Sequence, residues 1–232
     1  MLSDELSVKI GGLLAFFAAE WYDKLGKGTE AIWNVSEESN RIQAREQRVK
    51  RMRSLTLMSD TFMSVALNDI PACQYVLRTL TGIESLNVKE VRTQYRVSKT
   101  DSRDAILDVL AEDASEKLYN LEIQRLNTVD HARRTRFYGA MIDSSYLEKG
   151  TTYADLPKVY IFYLSETDIW QEGHTIYEVE KHFKNTKIPY DDGLHIVYVN
   201  AAIDDGSKIA AMMQYFKASD PEDQTQGELS KR

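Results

Sequence analysis

A chain of 232 residues, 43% hydrophobic and 28% charged, can bury one core with attachments, and its composition excludes a fibrous or wholly disordered protein. Its single cysteine, Cys73, excludes an intramolecular disulfide framework and a multi-cysteine zinc site, and fits a reducing cytoplasm. The net charge of −7 opposes phosphate binding on average, yet Arg41, Arg45, Arg48, Lys50, Arg51 and Arg53 face only one local acid, Glu46.

Residues 3–53 read as helix, with Leu6, Ile10, Leu13, Leu14, Phe17 and Trp21 at helical spacing. Gly26-Lys27-Gly28 breaks the run, and Thr29 can cap a second helix. Arg41, Arg45 and Arg48 share one face of that helix, either a solvated surface or a phosphate-contacting strip. The apolar run Ile10 to Ala19 follows Asp4 and Glu5 rather than a basic segment, and it is too short to span a bilayer. Neither a signal peptide nor a membrane association is expected.

From Ser59 to Leu80 a helical pattern is interrupted at Pro71, which predicts two helices meeting at Asn68-Asp69-Ile70, with Gly82 as the stop. The period then changes. Val88–Lys99, Ala105–Ala111 and Leu118–Gln124 read as strands. Thr128 can cap a helix running to about Leu147. Lys158–Leu164 is apolar enough for a central strand, Thr175–Phe183 and Leu194–Asn200 are weaker strands, and Ser207–Phe216 is a final helix. From Ser219 onward no apolar periodicity remains, so residues 219–232 are expected to form a disordered tail. The order predicts an α/β sandwich with a mixed sheet. The expected division is a helical extension over residues 1–53, a domain over residues 54–218, and the tail.

The hairpin Ala105–Gln124 carries the chemistry. A turn centred on Ser115 places Asp108 opposite Glu122, Val109 opposite Leu121 and Leu110 opposite Asn120. One face then carries Asp108, Asn120, Glu122 and Gln124, and the other Leu107, Val109, Ala111, Tyr119, Leu121 and Ile123. Two carboxylates directly opposite have Cβ atoms roughly 5 Å apart and repel each other. A hard divalent cation bridging them would relieve that repulsion, because it takes oxygen ligands from carboxylates, water and phosphate. The competing reading has these carboxylates in solvent or paired with Arg103 or Arg125, and a register slip of one residue would move the whole face. Arg125, Arg133, Arg134 and Arg136 follow closely, as a basic rim or as helix-surface arginines paired with local acids. His131, His174, His182 and His195 lack metal-ligand spacing and are expected at the surface or in packing, as is Tyr138. There is no phosphate-loop glycine pattern, and no organic cofactor is expected.

Several strings in order resemble the PD-(D/E)XK nuclease family transposases, the recombination-promoting nucleases. They are Leu57-Met58-Ser59-Asp60-x-Phe62-Met63, Val91-x-x-Gln94, Arg103-x-x-x-Leu107-Asp108-Val109-x-Ala111, and Tyr119-Asn120-Leu121-Glu122-Ile123-Gln124-Arg125. The resemblance continues through Arg134-x-Arg136-Phe137-Tyr138, Ile142-Asp143, Leu147-x-Lys149-Gly150-x-x-Tyr153, Leu156-Pro157 and Val159-Tyr160-Ile161-Phe162, and it covers about residues 55–218. It implies a restriction-endonuclease-like PD-(D/E)XK core, a central mixed sheet flanked by helices. It implies that Asp108 and Glu122 bind Mg²⁺ or Mn²⁺, with Asp60 and the Ile123 carbonyl as further ligands. Gln124 takes the position usually held by lysine, and Arg103 a basic position before the motif strand. With Arg125, Arg134 and Arg136, Arg103 is expected to contact nucleic acid. Ile106 stands where many members have arginine, and Gln124 carries no charge, so compensating charge must come from the metal or from nearby arginines.

The resulting expectation is a metal-dependent DNA endonuclease linked to recombination, mobile elements or phage conflict, with DNA as partner and a homodimer for double-strand cleavage. A catalytically silent nuclease-fold module that binds DNA or protein, and an RNA-directed nuclease, stay open as alternatives.

Overall fold

The structure is a computed structural model that describes residues 40–47, 56–98, 103–125, 130–220 and 222–231. Of the helical stretch expected over residues 3–53, residues 3–39 and 48–53 lie outside the described residues, as do the Thr29 and Thr128 caps. The chain divides into two compact units, Met1–Ser54 and Leu55–Arg232. Within the first, residues 40–47 are helical and exposed, Arg41 and Arg45 included.

The second unit starts with two short helices, each begun by a side-chain cap. Ser59 Oγ accepts from Phe62 N at 3.3 Å to open α1 (Asp60–Leu67), which puts Asp60 in its first turn. Asp69 Oδ1 accepts from Ala72 N at 3.1 Å to open α2 (Ile70–Thr81), whose early Pro71 costs no helical hydrogen bond. Gly82, at φ +68°, closes α2 in the left-handed conformation that the turn requires.

Three antiparallel strands follow: β1 (Val88–Val97), β2 (Ala105–Asp113) and β3 (Leu118–Gln124). Helix α3 (His131–Tyr146) then crosses to β4 (Val159–Ser165), which lies parallel to β3. After a three-residue edge strand β5 (Ile176–Glu178) come β6 (Leu194–Asn200), parallel to β4, and α4 (Lys208–Ala218), capped by Ser207. The sheet order is β1-β2-β3-β4-β6-β5. The strand expected over Thr175–Phe183 is only three residues long.

Helices cover both faces. On one, Met63, Leu67, Val76, Leu77, Met213 and Phe216 of α1, α2 and α4 pack on Val109, Ala111, Tyr119, Leu121 and Phe162. On the other, Met141 and Ile142 of α3 pack on Leu107, Leu110, Leu118 and Ile161. Burial on both faces explains the near-continuous apolar run of β4. Gly139 lets α3 approach closely: a Cβ there would lie 3.0 Å from Leu194 Cδ2.

Two details differ from the expectation. Leu107 lies under α3, while Val109 and Ala111 lie under the opposite helices, so β2 changes face at Asp108. The β1–β2 pairing skips Gln94 and Asp108 at the same point, and Gln94 sits at φ +50°, outside the extended region. The segment after Ser219 is not a structureless tail. Leu229 is buried in a 3₁₀ turn (Leu229–Lys231), and Tyr75 of α2 donates to Gln226 Oε1 at 3.3 Å. A lone apolar residue against α2 anchors this segment, which no periodicity could announce. Among the described residues no helix is long and apolar enough to cross a membrane.

Candidate active site

The β2–β3 register is set at the hairpin turn. Asp113 Oδ1 accepts from Ser115 N at 2.7 Å and Lys117 N at 3.0 Å, and its Oδ2 accepts from Tyr119 Oη at 2.9 Å. From that turn the pairs run Glu112–Leu118, Ala111–Tyr119, Leu110–Asn120 and Val109–Leu121. Asp108 and Glu122 come next, where the regular ladder stops.

Carboxylates take over there as acceptors for backbone amides. Asp108 N donates to Glu122 Oε1 at 3.3 Å, and Ile123 N donates to Asp108 Oδ2 at 3.0 Å. Each motif carboxylate thus caps an N–H of the other's strand, which keeps both side chains at the seam. Asn120 Nδ2 also donates to Glu122 Oε1, at 3.0 Å. Gln94 Nε2 reaches Ser64 Oγ at 2.9 Å and Asp108 Oδ1 at 3.4 Å, tying α1 and β1 to the pair. The left-handed backbone of Gln94 accompanies this aim into the seam.

Both carboxyls are raised, chiefly by burial. Burial, then the charge of Asp108, pushes Glu122 up to about 8, against hydrogen bonds from Asn120, the Asp108 amide and Tyr138. Burial, then the charge of Asp60, pushes Asp108 up to about 6, with the Ile123 amide, Gln94 and Arg134 opposing. The two titrate as a pair, and Glu122, the more deeply buried, is the one that keeps a proton longest.

These residues line a cleft of about 590 Å³ with Asp60, Ile106, Ile123, Gln124, Arg125, Arg134, Tyr138, Tyr163 and Glu166. Asp60 enters from α1, Asp108, Glu122 and Gln124 from the hairpin, Arg134 and Tyr138 from α3, and Tyr163 and Glu166 from β4 and just after it. A larger cleft, of about 790 Å³, lies by Tyr160, His195 and residues 178–192, and contains none of the motif residues.

The site does not gather every residue singled out in the sequence. Arg103 and Arg136 are exposed and do not line the cleft. Arg125 lines it but is paired with Glu166 at 3.0 Å, and Arg133 is paired with Asp130 at 2.8 Å. Tyr138, expected in packing, hydrogen-bonds Glu122. His131 Nδ1 lies 3.0 Å from Tyr163 Oη, which donates to Gln124 Oε1 at 3.0 Å. Tyr163 gave no sequence signal, because in an apolar strand it reads as core.

Among the described residues no three His, Cys, Asp or Glu side chains are grouped closely enough to hold a cation by themselves. The donor set nevertheless suits a hard divalent ion. Four carboxylates line one cleft, Asp60, Asp108, Glu122 and the Arg125-paired Glu166, two of them raised above the ordinary carboxylate range, and such an ion needs only one or two carboxylates beside water and phosphate.

A mixed six-stranded sheet between helices, with this acidic pair where the hairpin ladder ends, defines a PD-(D/E)XK nuclease-like core. The chain belongs to the PD-(D/E)XK nuclease family transposases, whose profile matches residues 76–214. Asp108, Glu122, Gln124 and Arg134 fall inside that span, and Asp60 precedes it. A nuclease-related function follows from membership, and nucleases of this kind generally use divalent metal ions. Among curated proteins and among solved structures, none matches the chain.

Proposed function

We propose that the protein is a metal-dependent endonuclease that hydrolyses DNA phosphodiester bonds. The observation that carries this reading is the Asp108–Glu122 pair: two carboxyls held together by backbone amides and raised by burial, opening on one cleft. Asp108, Glu122 and Asp60 would hold Mg²⁺ or Mn²⁺, with the Ile123 carbonyl as a further oxygen ligand. When bound, the cation polarises phosphate oxygens and eases deprotonation of the attacking water.

The chain's own groups account for the rest. Tyr163 and Arg134 both donate to Gln124 Oε1, which fixes the plane of the amide and turns Gln124 into an orienting group for water or phosphate. Tyr138 and Asn120 hold the Glu122 carboxylate in place. One cleft of this kind cuts one strand, so double-strand cleavage calls for a homodimer. Family membership supports a setting in recombination, mobile elements or phage conflict.

Supercoiled plasmid, linear duplex and RNA, each with Mg²⁺, Mn²⁺ or EDTA, test the reading. Nicked or linear plasmid is expected with metal, none with EDTA, and none with Glu122→Ala. Cutting that persists in Glu122→Ala would sink the mechanism, and cutting of RNA alone would replace the substrate.

A further inference from the structure

Phosphodiester hydrolysis builds negative charge on the phosphoryl oxygens, and fixed positive groups aimed at that charge are the strongest protein contribution to such a reaction. Gln124 occupies the position where a lysine charge is usual, and a neutral amide cannot supply it. The structure shows what stands beside that amide.

Arg134 lies one turn into α3, its amide bonded to Asp130 O at 2.9 Å. Its Nη1 donates to Gln124 Oε1 and lies 3.5 Å from Tyr163 Oη. Both partners are neutral oxygens. Among the described residues Arg134 makes no ion pair, whereas Arg125 and Arg133 each have a carboxylate partner. Arg134 therefore holds its guanidinium at a fixed place with no carboxylate in direct contact. It lines the same cleft as Asp108 and Glu122 and is solvent-exposed, so a phosphate entering the cleft can reach it. Partial burial opposes its charge, and the bond to Tyr163, with the fields of Tyr138, Tyr163 and Glu122, outweighs it and keeps the guanidinium charged.

We propose that Arg134 is a catalytic residue, whose guanidinium contacts a non-bridging oxygen of the scissile phosphate and supplies from α3 the positive charge that Gln124 lacks. Gln124 is then its positioning residue: the amide oxygen that fills the lysine position anchors the arginine instead. Arginine stays protonated throughout the working pH range, so its role is electrostatic and transfers no proton. This inference rests on the endonuclease reading above.

The test is single-turnover cleavage at saturating protein, with DNA affinity measured separately in Ca²⁺. Arg134→Met is expected to slow cleavage on the order of 10²–10³-fold. DNA affinity should change less than threefold, and the pH at half-maximal rate should not move. Arg134→Lys should fall between. Gln124→Lys placed in the Arg134→Met background should recover at least tenfold, because it restores a cation to the same cleft, and that gain also separates lost charge from a damaged fold. A rate within threefold of wild type for Arg134→Met, a loss confined to affinity, or no recovery in the double variant overturns the proposal while Glu122-dependent cutting stands. Wild-type protein inactive with both metals, or Glu122→Ala as active as wild type, overturns the endonuclease reading and this inference with it.

Discussion

Replacing Glu122 with glutamine should stabilise the metal-free protein at alkaline pH while abolishing cutting. The folded protein holds the Glu122 proton up to about 8, and the unfolded chain releases it near 4.5. Between these values the folded state binds more protons, so stability falls as pH rises, by about 1.4 kcal/mol per pH unit at most. The penalty is absent below 4.5 and complete above about 8. Ionised Glu122 therefore costs the folded protein roughly 3–5 kcal/mol at pH 8.5. Glutamine keeps the acceptor that Asn120 and the Asp108 amide use, and carries no charge. Thermal unfolding in EDTA from pH 5 to 9 is the assay. The two proteins should converge near pH 5. At pH 8.5 Glu122→Gln should melt roughly 6 °C or more above wild type, given about 2–4 °C per kcal/mol at this size. Mg²⁺ should raise the wild-type midpoint at pH 8.5 and leave the variant nearly unmoved. Parallel pH profiles for the two proteins would refute the account of a buried Glu122 that keeps its proton.

Mg²⁺ binding at pH 7 should release protons, because the cation displaces the one held by the pair; calorimetry in two buffers of different ionisation enthalpy should give different apparent enthalpies, and identical values would count against it. Gln94→Gly removes both a left-handed backbone penalty and the link to Asp108, so stability should shift by less than about 1 kcal/mol while cutting slows about tenfold or more; unchanged cutting would make Gln94 a bystander. Leu229→Ala should cost about 2–3 kcal/mol in chemical denaturation if the C-terminal segment packs as described, and nothing if it does not. Gly227→Ala should also destabilise, since its Cβ would meet Tyr75 Cε2 at 2.8 Å with φ at +53°.

The register of the hairpin was legible because it depends on local facts: a turn around Ser115 and strict alternation on either side. The pairs Val109–Leu121 and Leu110–Asn120 are those that the alternation predicts. The switch of face at Asp108 was not legible. It arises with the left-handed backbone of Gln94 on another strand, and glutamine announces no such conformation. The helix junction at Asn68-Asp69-Ile70 could be read from Pro71 and the stop from Gly82, whereas Thr128 lies outside the described residues and Asp130 directly precedes α3. Tyr138 and Tyr163 enter the cleft through the crossing of α3 over β4, a tertiary matter. For the same reason the arginines could be counted in the sequence but not sorted: only the fold separates paired Arg125 and Arg133 from Arg134.

Asp113 sits five residues from Asp108, roughly 17 Å along the strand. Its three hydrogen bonds at the turn fix which residue of β3 meets which residue of β2. The turn therefore works as the zero mark of a ruler, and the carboxyl pair is a reading taken at the far end. One residue inserted between Asp113 and Lys117 that shifted the register would leave composition and core volume nearly intact, yet it would carry Glu122 to the opposite side of the sheet. Variation in this exposed loop is thus tied to the chemistry as tightly as variation in the cleft itself.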